Sequence, residues 1–145
     1  MPEEKSNVFV SNHRSMIGLS ITKNLKEMDN FHVIIDDALK LTSQSKVNNF
    51  FATNKIDQIY LTGGQSGGIK ANNTFPADFI YNNLIIETNL IHASYVNNIK
   101  KLLFIGSSCV YPKEACLPTR EEELLSGKLE PTNEPYSIAK IAGLK

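Results

Sequence analysis

Three side chains of this sequence are spaced so that they could move a proton together: Ser107, Tyr136 and Lys140. A Tyr and a Lys four residues apart lie on one face of a helix. A Ser at the end of the preceding apolar run, Lys101–Gly106, reaches the same point in space. That arrangement suits acid–base chemistry at a carbonyl or hydroxyl oxygen. The hydroxyl fixes the oxygen, the phenol gives or takes the proton, and the Lys charge favours the phenolate. A bare Tyr-x-x-x-Lys recurs by chance in helix-rich chains. Coupled to an apolar strand that ends in Gly106-Ser107-Ser108, it is far more specific.

The elements that must position these residues follow from periodicity. Val8–Val10 reads as a buried strand. A turn over Ser11–Ser15 leads to a helix with Ile17, Ile21, Leu25 and Met28 on its apolar face. Asp29-Asn30 breaks it before a second strand, Phe31–Ile35, and Leu39–Leu41 is expected to form a short third. Val47, Phe50 and Phe51 mark a helix, and Ile56–Thr62 is a strand running into the glycine-rich Gly63–Gly68. Asn73-Thr74 is expected to cap a long helix with Pro76 near its first turn. After the Lys101–Gly106 strand, a polar loop over residues 112–133 precedes the last helix, with Ile138, Ile141 and Leu144 on one face. Strands alternating with helices predict an α/β, Rossmann-like, doubly wound parallel sheet. Such a sheet normally gains a further strand after this last helix. The expectation is therefore a sheet incomplete at its C-terminal edge, in the first part of a longer protein.

Composition narrows the function classes. The chain has 145 residues, formal net charge zero, 41% hydrophobic and 21% charged residues, within the range of one ordinary globular domain. Net charge is zero, so nothing in it argues for nucleic acid or an anionic membrane surface as partner. No apolar run reaches membrane-spanning length, and the opening Met1-Pro2-Glu3 does not read as a signal peptide. Cys109 and Cys116 form no metal-like cluster and read as free thiols of a reducing cytoplasm. Cys116 sits in a polar loop and His92 on the long helix, neither in the setting of a ligand.

A dinucleotide fold holds pyrophosphate at the turn between its first strand and helix, where glycines let the backbone approach the phosphates. Here that turn is Asn12, His13, Arg14, Ser15, Met16, Ile17 and Gly18, with only Gly18 of a G-x-x-G-x-x-G pattern. Asn tolerates a left-handed backbone, so Asn12 is expected to keep the turn, whereas Ser15 adds a hydroxyl where close approach is wanted. An ordinary strand-to-helix turn explains the stretch equally well. After the second strand, Asp36-Asp37 stands where an acidic residue binds a ribose diol and a basic one a 2′-phosphate, which by itself favours NAD. His13 and Arg14 are either phosphate contacts or solvated turn residues.

Four segments carry a closer resemblance: Ile56–Leu61, Gly67–Tyr81, Lys101–Lys113 and Leu129–Gly143. They resemble the GDP-L-fucose synthases, the GDP-4-keto-6-deoxymannose epimerase/reductases of the extended short-chain dehydrogenase/reductase superfamily. The resemblance implies that Ser107, Tyr136 and Lys140 are the reductase triad. Tyr136 would protonate the C4 oxygen as hydride arrives from NADPH, and Lys140 would also hold the nicotinamide ribose. It implies that Cys109 is the epimerisation base, removing the C3 and C5 protons made acidic by the C4 ketone. It also implies that Ile105, Gly106, Ser107 and Ser108 line the cofactor, that the substrate is a GDP-sugar, and that the long helix and the Tyr136 helix build a homodimer.

The departures from that family cluster on the nucleotide side. Its first two turn glycines are Asn12 and Ser15, its basic residue after strand two falls on Asp36-Asp37, and its acidic residue near the adenine falls on Ser43. Leu61-Thr62-Gly63-Gly64 stands where the family carries Leu-Ala-Ala, and Gln65 replaces a common Lys. The family's catalytic His and GDP-sugar domain lie beyond residue 145. Two readings stand: the N-terminal part of an NADP-dependent epimerase/reductase, with the acidic pair keeping NAD open, and a silent remnant that binds nucleotide or dimerises.

Overall fold

The computed structural model describes residues 4–145, so the opening Met1–Glu3 lies outside it. The chain divides into two compact units, one of the residues up to Gly64 together with Ile85–Ile105, the other of Gln65–Leu84 together with Gly106–Lys145.

The first unit is built on the parallel sheet. Its strands are β1 (Ser6–Val10), β2 (Phe31–Ile34), β3 (Gln58–Leu61) and β4 (Lys101–Phe104), in the order β2-β1-β3-β4. All three pairings are parallel, with Val8 opposite Val33 and Gln58, and Ile59 opposite Leu102. Parallel neighbours need crossovers, and the helices α1 (Met16–Lys26), α2 (Gln44–Thr53) and α4 (Pro76–Val96) supply them. Side chains of β1 alternate between two apolar layers. Phe9 packs with Val47 and Phe51 of α2 and with Leu90 and Ala93 of α4, and Val8 and Val10 pack with Leu25 of α1. Helices on both faces of a parallel sheet make the doubly wound arrangement that the sequence predicts.

Four expectations are corrected. The buried stripe of α1 is Gly18, Thr22 and Leu25, while Ile17 and Met28 of the expected apolar face are exposed. The missing side chain of Gly18 lets that edge of the helix approach the preceding turn, which rotates the stripe. Leu39–Leu41 forms no strand. Its needs are met otherwise: Ala38 N–H donates to Asp36 Oδ1, Asn89 Nδ2 of α4 donates to the Leu41 carbonyl, and both leucines pack on the core. Asn73 and Thr74 do not cap the long helix but end a short one, α3 (Ile69–Thr74). The long helix then starts at Pro76, whose missing N–H costs nothing at a first helical position. Finally, the run leading to Ser107 is no buried strand. β4 is an edge, with Leu102 and Leu103 exposed on opposite faces and no strand beyond it among the described residues.

In the second unit α5 (Glu134–Leu144) packs on a 3₁₀ turn, Ser108–Val110. Its buried residues are Ser137, Ala139, Lys140 and Ile141, whereas Ile138 and Leu144 of the expected apolar face are 44% and 45% exposed. The loop before it is tied at its base, where Lys113 N–H donates to the Lys128 carbonyl and Lys113 Nζ lies 3.0 Å from Glu130 Oε2.

Phe9 meets Phe50 at a tilt and Phe51 edge-on, with ring centroids 5.0 and 5.8 Å away. Phe9→Ala is expected to cost about 3–5 kcal/mol in urea unfolding, against about 0.5–1.5 kcal/mol for Ile59→Val in the same layer. Equal losses would show that the ring cluster is not the centre of the core.

Candidate functional site

The predicted residues fall into two clusters, one in each unit. In the first unit, the turn after β1 is closed by Ser15. Its hydroxyl donates to the Asn12 carbonyl at 2.8 Å and accepts from Gly18 N–H at 3.0 Å, capping α1. The first amides of a helix lack intrahelical partners, so this cap satisfies a donor that an anion would otherwise recruit. Gly18 is sterically required, because a Cβ there would lie 1.9 Å from the Asn12 carbonyl oxygen. Asn12 does not keep the turn through a left-handed backbone. Among the described residues the positive-φ residues other than glycine are Asn98 and Leu125, and Asn12 is held instead by its N–H donating to Thr62 Oγ1 at 3.3 Å. Met16 and Ile17 are exposed at the start of α1. Ile105 also belongs to this unit, its N–H bonded to the Leu61 carbonyl.

His13 and Arg14 are not merely solvated. His13 Nε2 and Arg14 Nε lie 2.9 and 2.7 Å from Asp37 Oδ1. The Arg14 guanidinium, through its hydrogen bond above all, holds the Asp37 carboxyl below its ordinary 3.8. Sequence reasoning singled out Asp37 as a ribose ligand, and its observed partners are the two basic residues of the turn. Ser11 was missed. Its hydroxyl accepts from Thr62 N–H and Gly63 N–H and clamps the end of β3 to the start of the turn.

In the second unit, Ser107 ends the approach from β4 and caps the 3₁₀ turn, its hydroxyl accepting from Cys109 N–H at 3.3 Å. Lys140 is buried, and burial of an ammonium requires compensation. Its Nζ lies 5.9 Å from the centre of the Tyr136 ring, within reach of the ring's negative face. Phe79 of α4 meets that ring edge-on at 6.5 Å. Gly67 leaves room for it, since a Cβ there would come within 3.0 Å of the Phe79 ring. Cys109 Sγ is 3.1 Å from Asn133 Nδ2, a partner that sequence reasoning did not single out. Its spacing offered a signal, because Asn133 precedes Tyr136 by three residues on the same helical face. Ser107, Cys109, Tyr136 and Lys140 thus belong to two packed elements of one unit. Gly106 and Ser108 flank them, while Cys116 is an exposed free thiol.

The family of NAD-dependent epimerases and dehydratases matches residues 8–145. The chain belongs to the NAD-dependent epimerase/dehydratase family. Within that family it is 52% identical over 143 residues to the GDP-L-fucose synthase of Escherichia coli, covering 97% of this chain and 44% of the relative. It is 48% identical over 139 residues to that of Sinorhizobium fredii, covering 95% and 44%. Among solved structures, a GDP-D-glycero-L-gluco-heptose synthase of Campylobacter jejuni, determined in the presence of NADPH, superposes with a TM-score of 0.89 at 38% identity. That match covers 96% of this chain and 41% of that one. This epimerase/dehydratase chain therefore spans less than half the length of the relatives it matches.

Two outcomes test the turn. Ser15→Ala removes the cap and is expected to cost about 1 kcal/mol, while Gly18→Ala, which forces α1 off its turn, costs more; denaturant midpoints rank them. Asp37 has a depressed folded value, so its contribution to stability is full above the unfolded carboxyl's range and lost as the pH falls through the folded value. Asp37→Asn should therefore be the less stable protein at pH 7, and the difference should close in strong acid.

Proposed function

We propose that residues 1–145 are the N-terminal dinucleotide-binding and catalytic part of an NADP-dependent epimerase/reductase that converts GDP-4-keto-6-deoxymannose to GDP-L-fucose. The observation that carries this reading is the packing of α5, with Tyr136 and Lys140, on the turn that holds Ser107 and Cys109. The identity to GDP-L-fucose synthases across nearly the whole chain supports it.

The residues fit the cofactor. The close approach of Gly18 to Asn12 brings the start of α1 against the turn, as a pyrophosphate site needs, and Arg14 offers a cation for a phosphate. Residues Asn12–Gly18 would hold the pyrophosphate, Ile105–Ser108 would line the cofactor, and Lys140 would hold the nicotinamide ribose. NADPH supplies the hydride when bound. Cys109, as thiolate, would remove the protons at C3 and C5, which the C4 ketone acidifies, and an acid on the opposite face of the sugar would return a proton to each carbon, inverting it before the ketone is reduced. Ser107 donates a hydrogen bond to the C4 oxygen, Tyr136 gives it a proton, and the Lys140 charge stabilises the phenolate left behind. A homodimer through α4 and α5 accords with the exposure of Tyr81 and Ile138 on those helices. A cytoplasmic location accords with two free thiols.

A second reading, a silent domain with weak nucleotide affinity, draws on the Ser15 cap and on Asp37, which hold the groups a phosphate would use. Fluorescence titration of the chain with NADPH and NADH separates the two. Saturable NADPH binding is expected, tightened about tenfold in Asn12→Gly/Ser15→Gly, the worth of a hydrogen bond to a charged group. Preference for NADH would put Asp37 in control of cofactor choice, and no binding by a folded chain would favour the silent domain.

A further inference from the structure

Asn133 stands one residue before α5, where an Asn side chain ordinarily caps the helix, but it makes no capping bond. Its amide is turned sideways between two other groups. The Ser137 hydroxyl lies 3.1 Å from the Asn133 carbonyl oxygen and 3.3 Å from Asn133 Oδ1, a donor shared between two acceptors. Ser137 is wholly buried, so its hydroxyl has no water to turn to. With Oδ1 facing that hydroxyl, the NH₂ end of the amide faces the other way, toward Cys109 Sγ at 3.1 Å. An NH₂ group only donates, and a donated hydrogen bond strengthens when its acceptor gains negative charge. The amide therefore places a donor on Sγ, the kind of partner that a charged sulfur uses.

The amide is held from behind as well. Asn133 N–H donates to the Glu130 carbonyl, the Glu130 carboxylate accepts from Thr132, and Lys113 ties Glu130 to the other end of the loop. Asn133, Tyr136, Ser137 and Lys140 recur at helical spacing along one face. The start of α5 thereby presents the tyrosine and the donor to the cysteine from one rigid element.

We propose that Asn133 is a positioning residue for Cys109: its amide, aimed by the buried hydroxyl of Ser137, donates to Sγ and sustains the thiolate that accepts the substrate proton. The use of that thiolate in epimerisation rests on the proposed function. The activation of the thiol does not, and is measured on the chain without substrate or cofactor.

The test is alkylation of the 145-residue chain by iodoacetamide at pH 7 and pH 10, with Cys109 and Cys116 quantified separately by peptide mass spectrometry. The ratio of the two rates at each cysteine removes differences of access, because pH 10 lies above the ordinary range of a cysteine thiol. Lys140 and Glu134 on α5, and Lys113 and Glu130 at the loop base, are retained in every variant. Asn133→Ala is expected to lower the pH 7 to pH 10 ratio at Cys109 about tenfold, the worth of a hydrogen bond to a charged group, and to leave Cys116 unchanged. Asn133→Asp, of the same shape but with no NH₂, is expected to lower it at least as far, and Ser137→Ala to lower it by less. Circular dichroism establishes that each variant is folded, and Asn133→Asp serves where Asn133→Ala is not. An unchanged ratio at Cys109 in a folded Asn133→Asp chain would overturn the proposal, as would an equal fall at Cys116. Failure of the NADPH titration leaves this ratio untouched, so the two readings fail separately.

Discussion

Burial of Val8, Phe9 and Val10 in β1 constrains the rest of the first unit. Val8 and Val10 are 0% exposed and Phe9 1%, so this strand has an apolar layer on each face and a parallel neighbour on each edge. A strand in that position cannot turn back on itself through a hairpin, and each connection must cross over the sheet as a helix. The first crossover, α1, begins six residues after β1 ends and must lie close against the sheet. That demand falls on Gly18, the position where a side chain would strike the backbone of Asn12. The compactness of the turn is thus a consequence of core packing before it is a feature of any ligand site.

The two clusters of chemistry-bearing residues differ in how their polar groups are satisfied. In the turn the protein supplies its own partners: the Ser15 hydroxyl takes a helix amide, and Asp37 takes both His13 and Arg14. These contacts close the turn with the chain's own groups. In the second unit the polar groups converge on one another. Ser107 is bonded to the Cys109 backbone, Lys140 sits by the Tyr136 ring, and Asn133 joins Ser137 to Cys109. Side chains anchored on a packed helix keep their geometry better than side chains on a free loop.

The relatives carry the names of different GDP-sugars, a fucose and a heptose, yet they match over the same stretch of this chain. The matched stretch is thus what this chain has in common with relatives named for either sugar.

Much of this was legible in the sequence, because alternation and helical spacing are local properties of the chain. The order of strands and helices, the helical face shared by Tyr136 and Lys140, and the long matched segments needed no coordinates. The burial of particular faces did need them. Ile17, Ile138 and Leu144 are apolar at helical spacing and yet exposed, because the absent Cβ of Gly18 and the packing of Ser137 and Lys140 turned their helices otherwise, and Met28 is exposed because α1 ends at Lys26 before reaching it. Leu39–Leu41 is strand-like in composition, but a hydrogen bond from Asn89, distant in sequence, replaced a sheet partner. The partners of Asp37 and of Cys109 were hidden for the same reason. Which donor meets which acceptor, across 23 or 24 positions of chain, is decided when the elements pack and not by any property of the residues alone.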